Sequence, residues 1–146
     1  MKIEETEKEI VEEFSMFDDP ANAGQAWMGK YEHIIEIGKS LPMIEEKYKT
    51  DDRLIKGCQS KVWLHSEIKN GKIVYTADSD AIITKGLVAL VIRVLSEHSP
   101  DEIVNAKMDF INQIGLTQHL SPTRANGLVN MIKQMKLDAL VLKAKV

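Results

Sequence analysis

The chain has 146 residues, 44% of them hydrophobic and 28% charged, and its 19 basic and 22 acidic side chains give a net charge of −3. This length and composition predict one globular domain over residues 1–146. There is no apolar run long enough for a bilayer, no signal core and no basic block, so we expect a cytoplasmic protein that binds neither membrane nor nucleic acid.

Helical patterns dominate the first 40 residues. An apolar face runs through residues 3–17, and Asp18-Asp19-Pro20 is expected to end this first helix. A second helix is predicted from about Gln25 to Lys39, since its apolar residues again share one face. The following Leu41-Pro42 disfavours helix, and residues 43–57 are interpreted mostly as loop.

The clearest local pattern is a β-hairpin. Val62, Leu64 and Ile68 alternate with other residues along a first strand, and residues 73–76 supply a second β-rich run. Asn70-Gly71 lies between them, and this pair favours the tight turn that joins two antiparallel strands. Helices must cover one face of such a hairpin, and a third strand beside it is left open.

Three further helices are predicted after the hairpin. Asp78-Ser79-Asp80 offers capping oxygens for a helix starting near residue 80, with Asp80 as its simplest N-cap. This helix is apolar on nearly every side from Leu87 to Leu95, which is typical of a buried core helix. Ser99-Pro100-Asp101-Glu102 forms a capping box for the next helix, and Ser121-Pro122 precedes the last one. The order predicts an α+β fold, with a small antiparallel β-sheet packed against helices.

Cys58 is the first candidate for chemistry, and it lies immediately before the first strand. Because it is the only cysteine, the chain can form neither an intramolecular disulfide nor a cysteine-rich zinc or iron–sulfur site. Gly57 permits an unusual backbone and close approach by another molecule. Lys56 and Lys61 flank the thiol and are expected to favour the thiolate. The structural alternative is a small buried cysteine, the usual fate of a free thiol.

Three other residues are candidates for function. His119 lies in a polar segment between helices and is the best histidine partner for Cys58. Asp80 is chiefly a helix cap. Arg124 falls in the first turn of the last helix, where a cation opposes the helix dipole, so a buried carboxylate or a binding role would explain it. No motif for a metal, a nucleotide or another cofactor is present.

Three segments together resemble the SufE family of sulfur-acceptor proteins. They are Gly57–Trp63, which looks like the active-cysteine loop and following strand, Asp78–Leu87, and Leu116–Arg124. The run from Trp27 to Pro42 fits the same family. The segments occur in the family's order from about residue 25 to residue 135, and four collinear matches are far more specific than any one of them.

This resemblance implies a fold shared with iron–sulfur scaffold proteins of the IscU type. It also implies an accessory protein, not an enzyme, whose Cys58 takes sulfur as a persulfide from a pyridoxal-phosphate-dependent cysteine desulfurase of the SufS type. The protein would stimulate that desulfurase and pass sulfur to an iron–sulfur assembly complex of the SufBCD type, with no cofactor of its own. The residues implied as loop or partner contacts are Gly57, Gln59, Ser60, Asp80, His119 and Arg124.

Two alternatives from other classes remain at this point. A Cys58–His119 hydrolase or acyltransferase would be active without any partner. A cluster-binding scaffold is disfavoured by the single cysteine, since a cluster needs several thiolates. A carrier must also shelter its persulfide and yet reach another protein, so the Gly57 loop is expected to move between sheltered and extended positions.

Overall fold

A computed structural model describes residues 2–18, 21 and 23–145 of the chain. The predicted helix break at Asp19 and Pro20 lies outside the described residues. Within them, the α+β prediction is confirmed: there are seven α-helices and one two-stranded antiparallel sheet. None of the described helices has the combined length and apolar character needed to cross a bilayer.

The helices and strands follow the predicted order with two additions. Their bounds are α1 Ile3–Ser15, α2 Ala23–Gly38, β1 Val62–Lys69, β2 Lys72–Ser79, α3 Ile82–Leu95, α4 Pro100–Asn105, α5 Phe110–Gln113, α6 Leu116–His119 and α7 Pro122–Ala144. Five helices therefore follow the hairpin where three were predicted. Helices α5 and α6 have only four residues each, which is too short for a helical period to appear in the sequence.

The hairpin forms as predicted. Val62 pairs with Ser79 at one end and Lys69 with Lys72 at the other. Asn70 and Gly71 form the turn with φ of 52° and 78°, the positive values that a type I′ turn requires. No third strand is found in the described part of the chain. Short isolated bridges of Met43 to Ala77 and of Leu54 to Trp63 line the sheet instead.

Helix α3 is the centre of the core, as its composition predicted. Ten of its 14 residues are buried, with hydrophobic side chains on all sides except near Arg93. It approaches α2 very closely at Gly86, where an added Cβ would lie 2.2 Å from the Ile34 carbonyl oxygen. Gly38 faces the same contact from α2, since its Cβ would lie 3.0 Å from the Gly86 nitrogen. This glycine contact lets two helix backbones pack almost directly.

Both predicted serine caps are present. Ser99 accepts from the Glu102 amide, and the Glu102 carboxylate accepts from the Ser99 amide, which completes the capping box of α4. Ser121 accepts from the Arg124 amide at the start of α7, with Pro122 at the first helical position. The cap therefore defines the residue at which α7 begins.

Replacing Gly86 with alanine should destabilise the protein by roughly 1–3 kcal/mol, the usual range for overpacking, because the new methyl group would meet the Ile34 backbone. Urea unfolding measures the loss. Gly29→Ala in α2 is the control, since its Cβ would meet only the Phe17 ring, which can turn aside. A loss at Gly86 no larger than at Gly29 would contradict the close α2–α3 contact.

Candidate functional site

The loop that carries Cys58 lies between a backbone bridge and the start of β1. The Ile55 amide donates to the Val62 carbonyl and closes the loop at its base. Gly57 adopts φ +84°, a left-handed conformation that favours glycine. A Cβ at Gly57 would also lie 2.2 Å from Asn130 Nδ2 of α7. Both the backbone angle and the space therefore require glycine before the cysteine.

The Cys58 thiol faces the amino-terminal half of α7. Its Sγ donates a weak hydrogen bond to the Gly127 carbonyl at 3.6 Å, and the side chain is half-buried. Gly127 is buried beneath it, and an added Cβ there would lie 3.4 Å from Sγ. The absence of a side chain at Gly127 thus lets the sulfur rest against the helix backbone.

A small cavity of about 80 Å³ opens beside the thiol. Its lining residues are Cys58, Gln59, Ser60, Thr84, Leu87, Thr123, Arg124, Gly127 and Met131. A cavity needs about 10–15 Å³ in this measure to hold one water, so there is room for one atom beyond Sγ. The structure therefore brings together Cys58 with three of the predicted loop or contact residues, Gln59, Ser60 and Arg124.

Apart from Arg124, sequence reasoning gave no individual role to the α3 and α7 residues of this cavity, although Thr84, Leu87 and Thr123 lie within the quoted segments Asp78–Leu87 and Leu116–Arg124. Thr123, Gly127 and Met131 lie three or four positions apart and share one face of α7 with Arg124. Thr84 and Leu87 are likewise spaced by one turn of α3. The helical spacing was visible in the sequence, but nothing in it indicated which face of each helix would meet Cys58.

The expected activation of Cys58 by nearby lysines does not occur at rest. Burial raises the pKa of the Cys58 thiol above its ordinary value. Lys56 and Lys61 are exposed, and water screens such side chains. The resting thiol is therefore held in its protonated, less nucleophilic form.

Asp80 is not the N-cap of α3, which corrects the prediction. The helix begins at Ile82, and its N-cap is Ala81 without a side-chain cap. The Asp80 carboxylate instead accepts from the Lys61 amide at 3.0 Å, and the Asp80 amide donates to the Lys61 carbonyl at 3.3 Å. These two bonds lie one residue beyond the end of the strands, so Asp80 holds the far end of the Cys58 loop at Lys61.

The neighbouring Asp78 is a buried ion-pair residue that sequence reasoning did not single out. Its carboxylate lies 2.6 Å from Lys49 Nζ and 3.5 Å from Lys85 Nζ. Burial raises the pKa of this carboxyl, but the hydrogen bonds from Lys49 and the Ser79 amide outweigh it and hold the pKa below its usual range. This pair joins the loop of residues 43–57 to β2 and α3.

His119 lies outside the Cys58 cavity. Its ring stacks on Trp27 with centroids 3.9 Å apart, and its Nδ1 donates to the Gly115 carbonyl at 3.1 Å. The Tyr31 hydroxyl donates to the His119 carbonyl at 2.8 Å. The structure thus uses His119 to join α6 to α2, and not as a hydrogen-bond partner of Cys58.

Arg124 is exposed at the rim of the cavity. Among the described residues its guanidinium has no ion-pair partner, so the buried carboxylate considered from the sequence is not there. Lys56, Lys61 and Asp80 are also exposed around the loop. No group of three or more His, Cys, Asp or Glu side chains in the described ranges is placed to hold a metal ion.

The chain matches the family model SufE, an Fe-S metabolism associated domain, over residues 8–139. It is 39% identical over 139 residues to SufE-like protein 1, chloroplastic/mitochondrial, of Arabidopsis thaliana, covering 94% of this chain and 36% of that relative. An uncharacterized SufE-like protein of Synechocystis is 38% identical over 134 residues, covering 92% of this chain and 80% of that one. A hypothetical protein of Thermus thermophilus, solved in solution, shares the fold at a TM-score of 0.74 and 16% identity, covering 95% and 96% of the two chains.

Because burial raises its pKa, Cys58 should ionise only above the ordinary thiol value of about 8.5. The alkylation rate with iodoacetamide should therefore rise with pH to a midpoint above that of the urea-unfolded chain. Because the pKa of Cys58 is higher in the folded than in the unfolded protein, the protonated thiol stabilises the fold at pH values below the unfolded pKa. This contribution is lost as the pH rises through the folded pKa.

Lys56→Ala and Lys61→Ala are the controls for this pH profile, and both should leave the midpoint unchanged. A folded midpoint below that of the unfolded chain, restored by either lysine replacement, would show that the flanking cations activate the thiol after all.

Proposed function

The chain belongs to the SufE family, and from this membership we propose that it accepts sulfur on Cys58 from a cysteine desulfurase and delivers it to iron–sulfur cluster assembly. Membership of the family links the chain to iron–sulfur metabolism, and the role of Cys58 as acceptor of sulfur from a desulfurase is our proposal. The observation that carries it is the half-buried Cys58 thiol on the Gly57 loop, beside a cavity with room for one more atom.

The transfer is a thiol–persulfide exchange. The Cys58 thiolate attacks the terminal sulfur of a persulfide on the desulfurase cysteine, and a new sulfur–sulfur bond forms as the old one breaks. The desulfurase cysteine leaves as a thiolate, so Cys58 gains one sulfur atom and no external oxidant or reductant is needed. Cleavage of the carbon–sulfur bond of free cysteine belongs to the partner, whose pyridoxal phosphate supplies the necessary electron sink.

The geometry suits a carrier better than a catalyst. The resting thiol is sheltered against Gly127 and held protonated by burial, which protects it from small oxidants and electrophiles in solution. The cavity supports the carrier role in a second way, since the added sulfur of a persulfide could occupy it. Delivery then requires the loop to leave α7, and the partner's binding surface supplies the energy for this change.

The partners follow from the same proposal. We expect a SufS-type desulfurase as donor, stimulated by removal of its sulfur, and a SufBCD-type complex as acceptor. The proposed contact residues are Gln59 and Ser60 in the loop, with Asp80 and Arg124 beside it. A cytoplasmic location is part of the proposal, because a reducing compartment keeps the Cys58 thiol available.

A hydrolase or acyltransferase built on Cys58 and His119 has no observation in its favour. The His119 ring stacks on Trp27, and its Nδ1 donates to the Gly115 carbonyl. It does not line the Cys58 cavity.

Incubation with catalytic desulfurase and cysteine should raise the intact mass of the protein by one sulfur atom, which dithiothreitol removes. The added sulfur should map to the peptide that contains Cys58, the only thiol of the chain. Cysteine without desulfurase should leave the mass unchanged, because this chain cannot break the carbon–sulfur bond.

Cys58→Ser is the matched control for loading. It is nearly isosteric, so it should fold with unchanged stability but neither load sulfur nor stimulate the desulfurase, since its hydroxyl is hardly ionised. Stimulation equal to wild type by this variant, or a persulfidated desulfurase that fails to load the wild-type protein, would refute the acceptor role.

Arg124→Ala should weaken desulfurase binding while changing the free energy of unfolding by no more than ~0.5 kcal/mol, because the guanidinium is exposed and opposes the helix dipole. Arg93→Ala is the contrast: Arg93 pairs with Glu9 and Glu13, and its loss should cost about 1–3 kcal/mol without affecting binding. Titration by calorimetry and urea unfolding separate the two effects. Unchanged binding by Arg124→Ala would remove it from the interface.

A further inference from the structure

The Asn130 carboxamide covers the backbone of the cysteine loop. Its Nδ2 donates to the Gly57 carbonyl at 3.3 Å, and it lies where a Cβ of Gly57 would be. The contact joins residues 73 positions apart in the chain. Neither the motif that contains Cys58 nor the one that contains Arg124 includes Asn130, and sequence reasoning gave it no role.

Two hydrogen bonds attach the middle of the loop to α7. One is the bond from Asn130 to Gly57, and the other is the weak bond from Cys58 Sγ to the Gly127 carbonyl. Gly127 and Asn130 are three residues apart and so lie on the same face of the helix. Because a thiol is a poor donor, the Asn130 amide is the stronger of the two attachments.

The ends of the loop are held independently of α7. The Ile55 amide bonds to Val62, and Asp80 bonds to both backbone groups of Lys61. These bonds belong to the hairpin and its extension. Loss of the Asn130 bond would therefore free residues 56–60 while the hairpin and the base of the loop stay in place.

We propose that Asn130 is a positioning residue that latches the Gly57–Cys58 segment onto α7 and so controls how often the thiol is exposed. The inference rests on the proposed function for its purpose, since an acceptor must be sheltered between transfers and released on its partner. The latch itself is the hydrogen bond from Asn130 to the Gly57 carbonyl, which is present whatever the protein's partner is. Release of the latch moves Sγ out of its half-buried position and into water, where it ionises more readily.

The test compares Asn130→Ala with two matched variants. Asn126→Ala is the control, since Asn126 is exposed on the same helix, and no hydrogen bond of its side chain is found in the described part of the chain. Asn130→Asp keeps the shape of the side chain but removes the N–H donor. The readout is the iodoacetamide rate of Cys58 across pH, which yields both the midpoint and the limiting rate of the thiolate.

Asn130→Ala and Asn130→Asp should both raise the limiting alkylation rate about three- to tenfold, the factor expected for loss of one ordinary hydrogen bond. Asn130→Ala should also lower the pH midpoint toward that of the unfolded chain. Asn126→Ala should match the wild type in both. Urea unfolding should leave Asn126→Ala at wild-type stability and cost the two Asn130 variants no more than this one hydrogen bond, so that both stay folded and a faster rate reports opening of the loop and not unfolding.

Equal limiting rates for Asn130→Ala and the wild type would overturn the latch. A fast Asn130→Ala with a wild-type limiting rate for Asn130→Asp would also overturn it, because steric cover and not the hydrogen bond would then shelter the thiol. The alkylation test uses no desulfurase. If the alkylation rates agree with the latch but the desulfurase does not load sulfur onto Cys58, only the proposed function is refuted. If sulfur is loaded but the alkylation rates contradict the latch, only the latch is refuted.

Discussion

Tyr75 is fully buried in the hairpin, and its hydroxyl donates a hydrogen bond to the Met135 carbonyl of α7 at 2.6 Å. Burial raises the pKa of this phenol far above its ordinary value, so the group remains a donor at any physiological pH. Together with the hydrogen bond from the Ser66 hydroxyl of β1 to the Asp138 carboxylate of α7, this bond holds α7 at one rotation and one axial position on the sheet. A shift of α7 by one residue would turn its face by about 100° and carry Gly127 and Asn130 away from Cys58. The position of the thiol thus depends on a contact two helical turns away.

Burial protects the Cys58 thiol from solvent but makes it less nucleophilic, and in the resting structure the thiol is half-buried. The half-buried position raises the pKa of the thiol, and the flanking cations, Lys56 and Lys61, are exposed to solvent. A persistently activated thiolate would react with small electrophiles before it met its donor. A thiol that ionises on leaving α7 instead couples reactivity to exposure, which is the behaviour that a sulfur carrier needs.

The sequence predicted those features that local chemistry determines. The Asn70-Gly71 turn, the Ser99 capping box, the Ser121 cap and the buried α3 are all confirmed, because each depends on residues within a few positions of one another. The prediction of Asp80 as a cap was wrong because its carboxylate accepts instead from the Lys61 amide, just beyond the end of the hairpin strands. The sequence did not predict that Cys58 would pack against α7 and away from the flanking lysines, because this depends on tertiary packing and not on a local sequence pattern.

The free energy needed to detach the Cys58 loop from α7 also determines how strongly a partner must bind the released loop. One amide hydrogen bond from Asn130 is worth about 0.5–1.5 kcal/mol, and the thiol bond to Gly127 adds less. An opening free energy of ~1–2 kcal/mol leaves the released loop as a minor but accessible state. A partner needs to prefer that state by only a few kcal/mol to make it dominant. Several polar contacts near the loop, of the kind proposed for Gln59, Asp80 and Arg124, would be enough for this preference. In the proposed role, the protein would therefore release its cysteine on a modest interface and shelter it again as soon as the partner leaves.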